Sequence, residues 1–203
     1  VIVEEATRRG TYVMAHAYGA SAIRTAIECG VRTIEHGNLI DKEAAALAAK
    51  AGAYVVPTLV TYAVLNDTAA ESGWTDEMLA KLDRVRASGL DSIRTCREAG
   101  VKLGFGTDLL GASFDQQSRE FSIRSEVETP AQIIDSATRI NAEILQRSGE
   151  LGVIAEGAFA DILILDANPL QDIEVLANPE TICLCIYCNG YDCWCKVMDE
   201  YTY

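Results

Sequence analysis

The chain has 203 residues and carries 17 basic against 30 acidic side chains, which gives a formal net charge of −13. This acidity argues against nucleic acid or an anionic membrane surface as the main partner, because both attract clustered lysine and arginine. Hydrophobic residues make up 49% of the chain, which is enough to build a core and to argue against intrinsic disorder. The sequence contains no apolar run of 18 residues, so we expect no membrane span.

The seven cysteines are unevenly placed. Cys29 and Cys96 lie in the body of the chain, and five more fall between positions 183 and 195. The odd number, together with a start at Val1–Glu5 that is unlike a signal peptide, predicts reduced thiols and a cytoplasmic protein. The C-x-C spacing in the tail favours small buried side chains on a hairpin over a zinc site, and both interpretations stay open.

Four segments repeat one pattern: a helix-compatible stretch ends in glycine, a short apolar run follows, and then comes a polar residue. The polar residues are His16, His36, Thr58 and Asp108. A glycine after a helix closes the last turn in the left-handed conformation, and a short β-rich run suits a buried parallel strand. This alternation predicts a parallel α/β fold, either half of an eight-fold barrel or a small doubly wound sheet.

Between these strands the sequence predicts helices from capping residues and apolar periodicity. Ala20–Glu28 has one apolar face, Asp41 is placed to cap the helix that follows, and Thr75–Glu77 opens a longer helix with acidic residues at its positive end. Residues 58–73 lack such periodicity, so we expect a loop over the active-site mouth, where substrate choice is made.

The candidate chemistry lies at the predicted strand ends. His16 and His36 occupy equivalent positions of the repeat, and Asp108 follows two strands further on. The carboxyl ends of parallel barrel strands face one mouth, and two imidazoles with a carboxylate suit a divalent transition metal, most often zinc. A structural role stays open for each residue alone, but their equivalent positions favour a metal or catalytic site.

The motifs around these residues resemble the amidohydrolase superfamily. The segment around His16, Val13–Gly19, is similar to the motif on the fifth barrel strand of that family. Thr33–Gly37, with His36, is similar to the motif on the sixth strand, and Gly106–Asp108 to the motif on the eighth.

Two further features indicate the branch of the family and the presence of its second domain. Ile34–Asn38 and Phe105–Asp108 are most similar to the Xaa-Pro dipeptidase and imidazolonepropionase-like branch. Leu151–Asp166 resembles the return of the chain into the family's small β-sandwich domain.

The resemblance implies the carboxyl-terminal half of a (β/α)8 TIM barrel, strands five to eight, over residues 1–152, and part of a small β-sandwich over residues 153–203. The family's H-x-H motif on the first strand and carboxylated lysine on the fourth have no counterpart, since no histidine precedes His16. A half barrel would expose two strand edges. We therefore expect a missing amino-terminal half or a homo-oligomer to complete it.

The resemblance also implies a mechanism. His16, His36 and Asp108 would hold a divalent metal, expected to be zinc, as one or two ions. Asp108 would be the catalytic general acid and base, taking a proton from the attacking water and passing it to the leaving amine. Tyr18, His36 and Thr58 are the expected substrate-binding residues, with Tyr18 donating to a substrate carboxylate or the developing oxyanion.

The expected substrate is a small molecule with an amide bond: a dipeptide ending in proline or another amino acid, or an N-acyl amino acid. Two alternatives stay open. One is a cyclic-amide hydrolase such as an imidazolonepropionase. The other is a non-catalytic α/β fragment whose histidines and aspartate are structural.

Overall fold

A computed structural model describes residues 1–69 and 73–178, together with the backbone of two strands at 183–188 and 191–195. The chain divides into two compact units, Val1–Gln117 and Ser118–Tyr203. The domain boundary predicted between residues 152 and 153 falls within the second unit and stays a prediction. In the described part of the chain, no helix is both long enough and apolar enough to cross a membrane.

The first unit alternates helices and strands. Its elements are α1 (Ile2–Arg8), β1 (Met14–Gly19), α2 (Ala20–Glu28), β2 (Thr33–Leu39), α3 (Lys42–Ala51), β3 (Tyr54–Val56), α4 (Leu59–Thr68), α5 (Asp76–Ala99), β4 (Lys102–Leu103) and a 3₁₀ helix (Gly111–Gln116). The strands form one parallel sheet in the order β1-β2-β3-β4. The predicted α/β fold with a parallel sheet is confirmed.

Capping residues and glycines set the helix ends where the sequence predicts them. The Asp41 carboxylate accepts a hydrogen bond from the backbone N–H of Ala44 at the start of α3, and the Thr75 hydroxyl caps α5 in the same way. Both helices end at a left-handed glycine, Gly52 with φ 67° and Gly100 with φ 79°. Each glycine closes its helix and turns the chain into the next strand.

One prediction for this unit is wrong. Residues 58–73 were expected to form a loop, but Leu59–Thr68 forms helix α4. The helix buries residues on several sides, among them Val60, Tyr62 and Val64. A helix that is buried on several sides shows no 3.6-residue alternation of apolar and polar residues, so its sequence carries no amphipathic signal.

The core of the first unit lies between the sheet and its helices. Ile34, Val55 and Leu103 from the strands are fully buried, as are Ile23 of α2 and Ile93 of α5. The strand order never reverses, and crossovers between parallel strands are right-handed. The connecting helices therefore lie on one face of the sheet, and the carboxyl ends of all its strands share one edge.

The second unit begins with helices and ends in an antiparallel sheet. Its elements are α6 (Arg119–Ser125), α7 (Pro130–Asp135), a π-helix (Ser136–Ile140), α8 (Asn141–Ile144), β5 (Ile162–Leu165), α9 (Glu174–Ala177), β6 (Cys183–Cys188) and β7 (Tyr191–Cys195). The sheet order is β5-β6-β7. The two strands of the predicted tail hairpin are present, while residues 189–190 between them and the side chains of the tail cysteines lie outside the described residues.

Candidate active site

Three predicted site residues meet at the carboxyl edge of the parallel sheet. His16 lies on β1, His36 on β2, and Asp108 follows β4. Nδ1 of His16 is 2.7 Å from Nε2 of His36, and the same Nε2 is 4.0 Å from Oδ2 of Asp108. The His36 side chain is buried, whereas His16 and Asp108 are exposed at the mouth.

A bulge in β2 brings the two imidazoles together. His16 is in register with Glu35, so strict alternation along β2 would turn His36 to the opposite face of the sheet. The pairing of β1 with β2 shifts register between Ala17 and Gly19, just after the position of His36. His36 and Gly37 both have positive φ, 76° and 65°. A Cβ atom at Gly37 would lie 3.0 Å from the side chain of Val55, which would have to shift to admit it. The bulge thus redirects the His36 ring toward His16.

Asp108 is held in a similarly uncommon backbone conformation. Its φ is 51°, and the hydroxyl of Thr61 on α4 donates a 3.3 Å hydrogen bond to its carbonyl oxygen. A non-glycine residue in the left-handed region costs on the order of 1–3 kcal/mol and persists only where the surroundings impose it. His36 and Asp108 are two of three such residues in the described chain, the third being Gln146.

Thr58 fixes the orientation of the His36 ring. Its buried hydroxyl lies 2.9 Å from Nδ1 of His36, so Nε2 is the nitrogen that faces His16 and Asp108. Burial lowers the pKa of His36 below its usual value, although Asp108 opposes that shift. A neutral imidazole held at its second nitrogen is the usual form of a histidine that ligates a metal.

Tyr18 lies where the sequence places it, beside the same mouth. Its ring stacks on that of His36, with centroids 4.8 Å apart and planes 9° apart. The Tyr18 side chain stays 38% exposed, so its hydroxyl is within reach of a ligand entering from solvent.

The motif analysis assigned no role to Glu35, which also belongs to this region. Its half-buried side chain accepts a 2.7 Å hydrogen bond from the buried hydroxyl of Thr33. Burial raises the pKa of Glu35, while Thr33 and His16 act in the opposite direction. Strand alternation could have identified Glu35 as a residue of this region, because Glu35 is opposite His16 in the pairing of β1 with β2.

Tyr62 lies in the segment expected over the active-site mouth, residues 58–73, and forms part of a cavity beside the site. The cavity has a volume of about 280 Å³. Its wall is largely aromatic and aliphatic and includes Tyr18, Tyr62, Leu65, Trp74, Leu82 and Val85. The Tyr62 ring stands edge-on to Tyr18 and His36, with centroid distances of 6.4 Å and 6.2 Å. The sequence placed this tyrosine in a segment over the mouth, but in a loop rather than in helix α4.

The donor set fits a divalent metal in its chemistry. Two tetrahedral nitrogen ligands of zinc lie about 3.3 Å apart, given Zn–N distances of ~2.0–2.1 Å. The His16 and His36 nitrogens face each other at 2.7 Å, so a modest separation of the rings would admit an ion between them. As the side chains stand, no group of three or more potential ligands among the described residues is arranged around a common metal position.

Comparison with known proteins identifies relatives that match most of this chain. The Amidohydrolase family model matches residues 1–190. An ochratoxinase from Aspergillus niger is 32% identical over 184 residues, covering 90% of this chain and 38% of that protein. A crystal structure of a prolidase complexed with N-methylphosphonate-L-proline is similar with a TM-score of 0.92 and 49% identity, over 96% of this chain and 48% of that one. A Xaa-Pro dipeptidase with methionine bound in its active site gives a TM-score of 0.84 at 32% identity, over 94% of this chain and 47% of that one.

These matches extend over nearly the whole chain and include the strands that carry His16, His36 and Asp108. The chain spans about two fifths to one half of the length of the relatives it matches. It belongs to the amidohydrolase family.

Proposed function

We propose that the protein is a metal-dependent amide hydrolase acting on a dipeptide, of which Xaa-Pro is the expected class, or on an N-acyl amino acid. The observation that carries this proposal is the convergence of His16, His36 and Asp108 at the carboxyl ends of three parallel strands. In α/β folds of this kind, ligands bind and catalytic groups converge at that edge.

Members of the amidohydrolase superfamily generally use divalent metals. In this chain Nδ1 of His16, Nε2 of His36 and a carboxylate oxygen of Asp108 would hold the ion, for which we propose zinc, as one or two ions. When bound, such an ion acts as a Lewis acid that makes water more acidic and polarises the scissile carbonyl.

The proposed general acid and base is Asp108. Its carboxylate is 45% exposed, and one of its oxygens is 4.0 Å from the imidazole of His36. The carboxylate of Asp108 can therefore contact both water and substrate at the mouth of the site. We propose that Asp108 accepts a proton from the attacking water and transfers it to the amine that leaves, which is the transfer that amide cleavage requires.

Substrate recognition is assigned to the residues around the cavity. Tyr18, on the surface of the His36 ring, can donate to a carboxylate or to the developing oxyanion. Thr58 holds His36, and we propose that it also contacts the substrate. An apolar cavity next to the reacting groups suits an aliphatic or aromatic side chain. The likeness to a prolidase and a Xaa-Pro dipeptidase supports dipeptides as the first substrates to test.

We also propose that the parallel sheet is strands five to eight of a (β/α)8 barrel within residues 1–152, with residues 153–203 contributing to a small β-sandwich. Two observations support this: the strand order never reverses, and β1 and β4 are the outer strands of the described sheet. The barrel would be completed by an amino-terminal half or by a second copy of the chain. A cytoplasmic location remains part of the proposal.

The test is hydrolysis by the full-length protein loaded with zinc, assayed on a Xaa-Pro dipeptide and on an N-acyl amino acid. Asp108→Asn should reduce kcat by about 10²–10⁴-fold, the usual contribution of a general acid and base. The matched control is Asp83→Asn, which removes an exposed carboxylate from α5 and should leave kcat unchanged. An Asp108→Asn enzyme as active as the wild type would refute the mechanism.

Metal analysis and thermal unfolding of the same protein distinguish a hydrolase from a non-catalytic fragment. Absence of bound zinc, iron or manganese, together with a melting temperature insensitive to a chelator, would support a purely structural role for the histidines and the aspartate.

A further inference from the structure

The hydroxyl of Tyr62 has no use in the chemistry proposed above. The residue is 5% exposed, and its hydroxyl oxygen is buried without a hydrogen-bond partner among the described residues. The hydroxyls of Tyr18 and Thr58 lie near enough to affect the pKa of Tyr62, but neither meets the distance and angle of a hydrogen bond. Leaving a buried hydroxyl unpaired costs about 1–3 kcal/mol, and most such groups in folded proteins are satisfied. A group that enters the cavity would satisfy it.

The position of Tyr62 restricts what that group can be. Its ring centroid is 6.2 Å from that of His36, so an acceptor for its hydroxyl must lie within a few bonds of the scissile amide. A tyrosine phenol is protonated at neutral pH, so the hydroxyl of Tyr62 can act as a hydrogen-bond donor. The ligand therefore needs an acceptor near the reacting bond.

The other residues of the cavity wall determine which side chain and which charged group the ligand can carry. Leu65, Trp74 and Val85 make the wall beside the two tyrosines largely apolar. Lys81 also lines the cavity, and its exposed ammonium group, which pairs with Glu77 at 2.8 Å, adds a positive charge that favours an anionic ligand. An amino acid with an apolar side chain and a free carboxylate meets these conditions, because its carboxylate is two bonds from the scissile nitrogen.

We propose that Tyr62 is a specificity-determining residue, whose hydroxyl donates a hydrogen bond to the α-carboxylate of the amino acid released by amide cleavage while that amino acid's apolar side chain fills the cavity. The assignment rests on the proposed function. It restricts the substrates to amides whose leaving group is an α-amino acid with a free carboxylate.

The experiment measures binding, so that it does not depend on turnover. Calorimetry on the full-length protein compares L-leucine with 3-methylbutylamine, which keeps the amine and the side chain but lacks the carboxylate. Wild type should prefer leucine, and Tyr62→Phe should weaken leucine binding by about 10- to 100-fold, the contribution expected of a hydrogen bond to a charged group. Binding of 3-methylbutylamine should be unchanged.

The matched control is Tyr12→Phe, which removes a phenol hydroxyl from a ring packed against Arg32, outside the cavity. It should bind leucine as the wild type does. Tyr62→Phe should also keep the melting temperature of the wild type, because no internal hydrogen bond is lost. A Tyr62→Phe protein that binds leucine normally, loses both ligands equally, or melts several degrees lower would overturn the assignment.

Hydrolysis assays separate this inference from the proposed function. In an active enzyme, Tyr62→Phe should raise KM for leucyl-proline but not for leucyl-prolinamide. If the protein cleaves no amide and yet shows the carboxylate-dependent binding that Tyr62→Phe removes, hydrolysis is refuted and the carboxylate-binding role of Tyr62 stands.

Discussion

The hydroxyl of Thr58 lies 2.9 Å from Nδ1 of His36, so the end of β3 fixes a ring that β2 presents to the site. Both groups are buried, which protects this hydrogen bond from competition with water. The contact selects the nitrogen that His36 offers at the mouth. It makes Thr58 a positioning residue for the proposed metal ligand.

Replacing Thr58 with valine should weaken zinc binding without changing any proposed ligand. A group that hydrogen-bonds to the second nitrogen of a metal-ligating histidine typically contributes 10- to 100-fold to metal affinity. We expect a loss of that size in Thr58→Val, measured by competition against a chelator of known affinity. Thr58→Ser, which keeps the hydroxyl, should recover most of the loss. Equal affinities in the wild type and Thr58→Val would show that the contact does not orient the ligand.

Zinc should stabilise the protein through His16 and His36. A ligand that binds only the folded state at a hundredfold excess over its Kd adds about 2.7 kcal/mol to the free energy of unfolding. His16→Asn and His36→Asn should each abolish the zinc-dependent rise in melting temperature, measured with and without chelator. Cys29→Ser is the control, because Cys29 is an exposed thiol that should not contribute. A full zinc response in both histidine variants would place the metal elsewhere.

Much of the fold could be predicted because local signals and packing agree. The glycine after each helix, the capping Asp41 and Thr75, and the short β-rich runs all indicate the same alternation of helix and strand. Helix α4 could not be predicted, because burial on several sides erases the periodicity that identifies surface helices.

The sequence predicted which side chains of the site come together, but not the backbone geometry that brings them together. Equivalent positions of His16 and His36 in the repeat indicated that they converge, and Asp108 followed from the same argument. The left-handed backbone at His36 and Asp108 has no signature in those residues themselves, since non-glycine residues seldom adopt it. Only Gly37 hinted at a bulge.

Gly152 should be far less replaceable than Gly157, although both have positive φ, 68° and 84°. A Cβ atom at Gly152 would lie 2.5 Å from the backbone of Thr138, whereas one at Gly157 would meet nothing within 4 Å. Gly157→Ala should cost about 1–2 kcal/mol from the left-handed conformation alone. Gly152→Ala should cost a further ~1–3 kcal/mol, because backbone must move. Urea unfolding measures both, and equal losses would contradict the close approach.

Asp41 should stabilise α3 in a pH-dependent way. Its carboxylate accepts a hydrogen bond from the N–H of Ala44 and contacts Arg24 at 2.9 Å, which together hold its pKa below the ordinary 3.8. A lowered folded-state pKa means that the stabilisation is complete above pH 3.8 and is lost as the pH falls through the folded-state pKa. Asp41→Ala should therefore cost about 0.5–2 kcal/mol near neutral pH, and the difference from wild type should shrink in acid.

The measurement is the free energy of unfolding of wild type and Asp41→Ala between pH 7 and pH 3. Asp41→Asn keeps a good capping residue without a titrating charge, so it should recover most of the stability while losing the pH dependence. Glu43→Ala removes a charge 3.9 Å from Arg24 without touching the cap. Because exposed ion pairs contribute little, Glu43→Ala should resemble the wild type. A loss in Glu43→Ala as large as in Asp41→Ala would assign the effect to the charge on Arg24 rather than to the cap of α3.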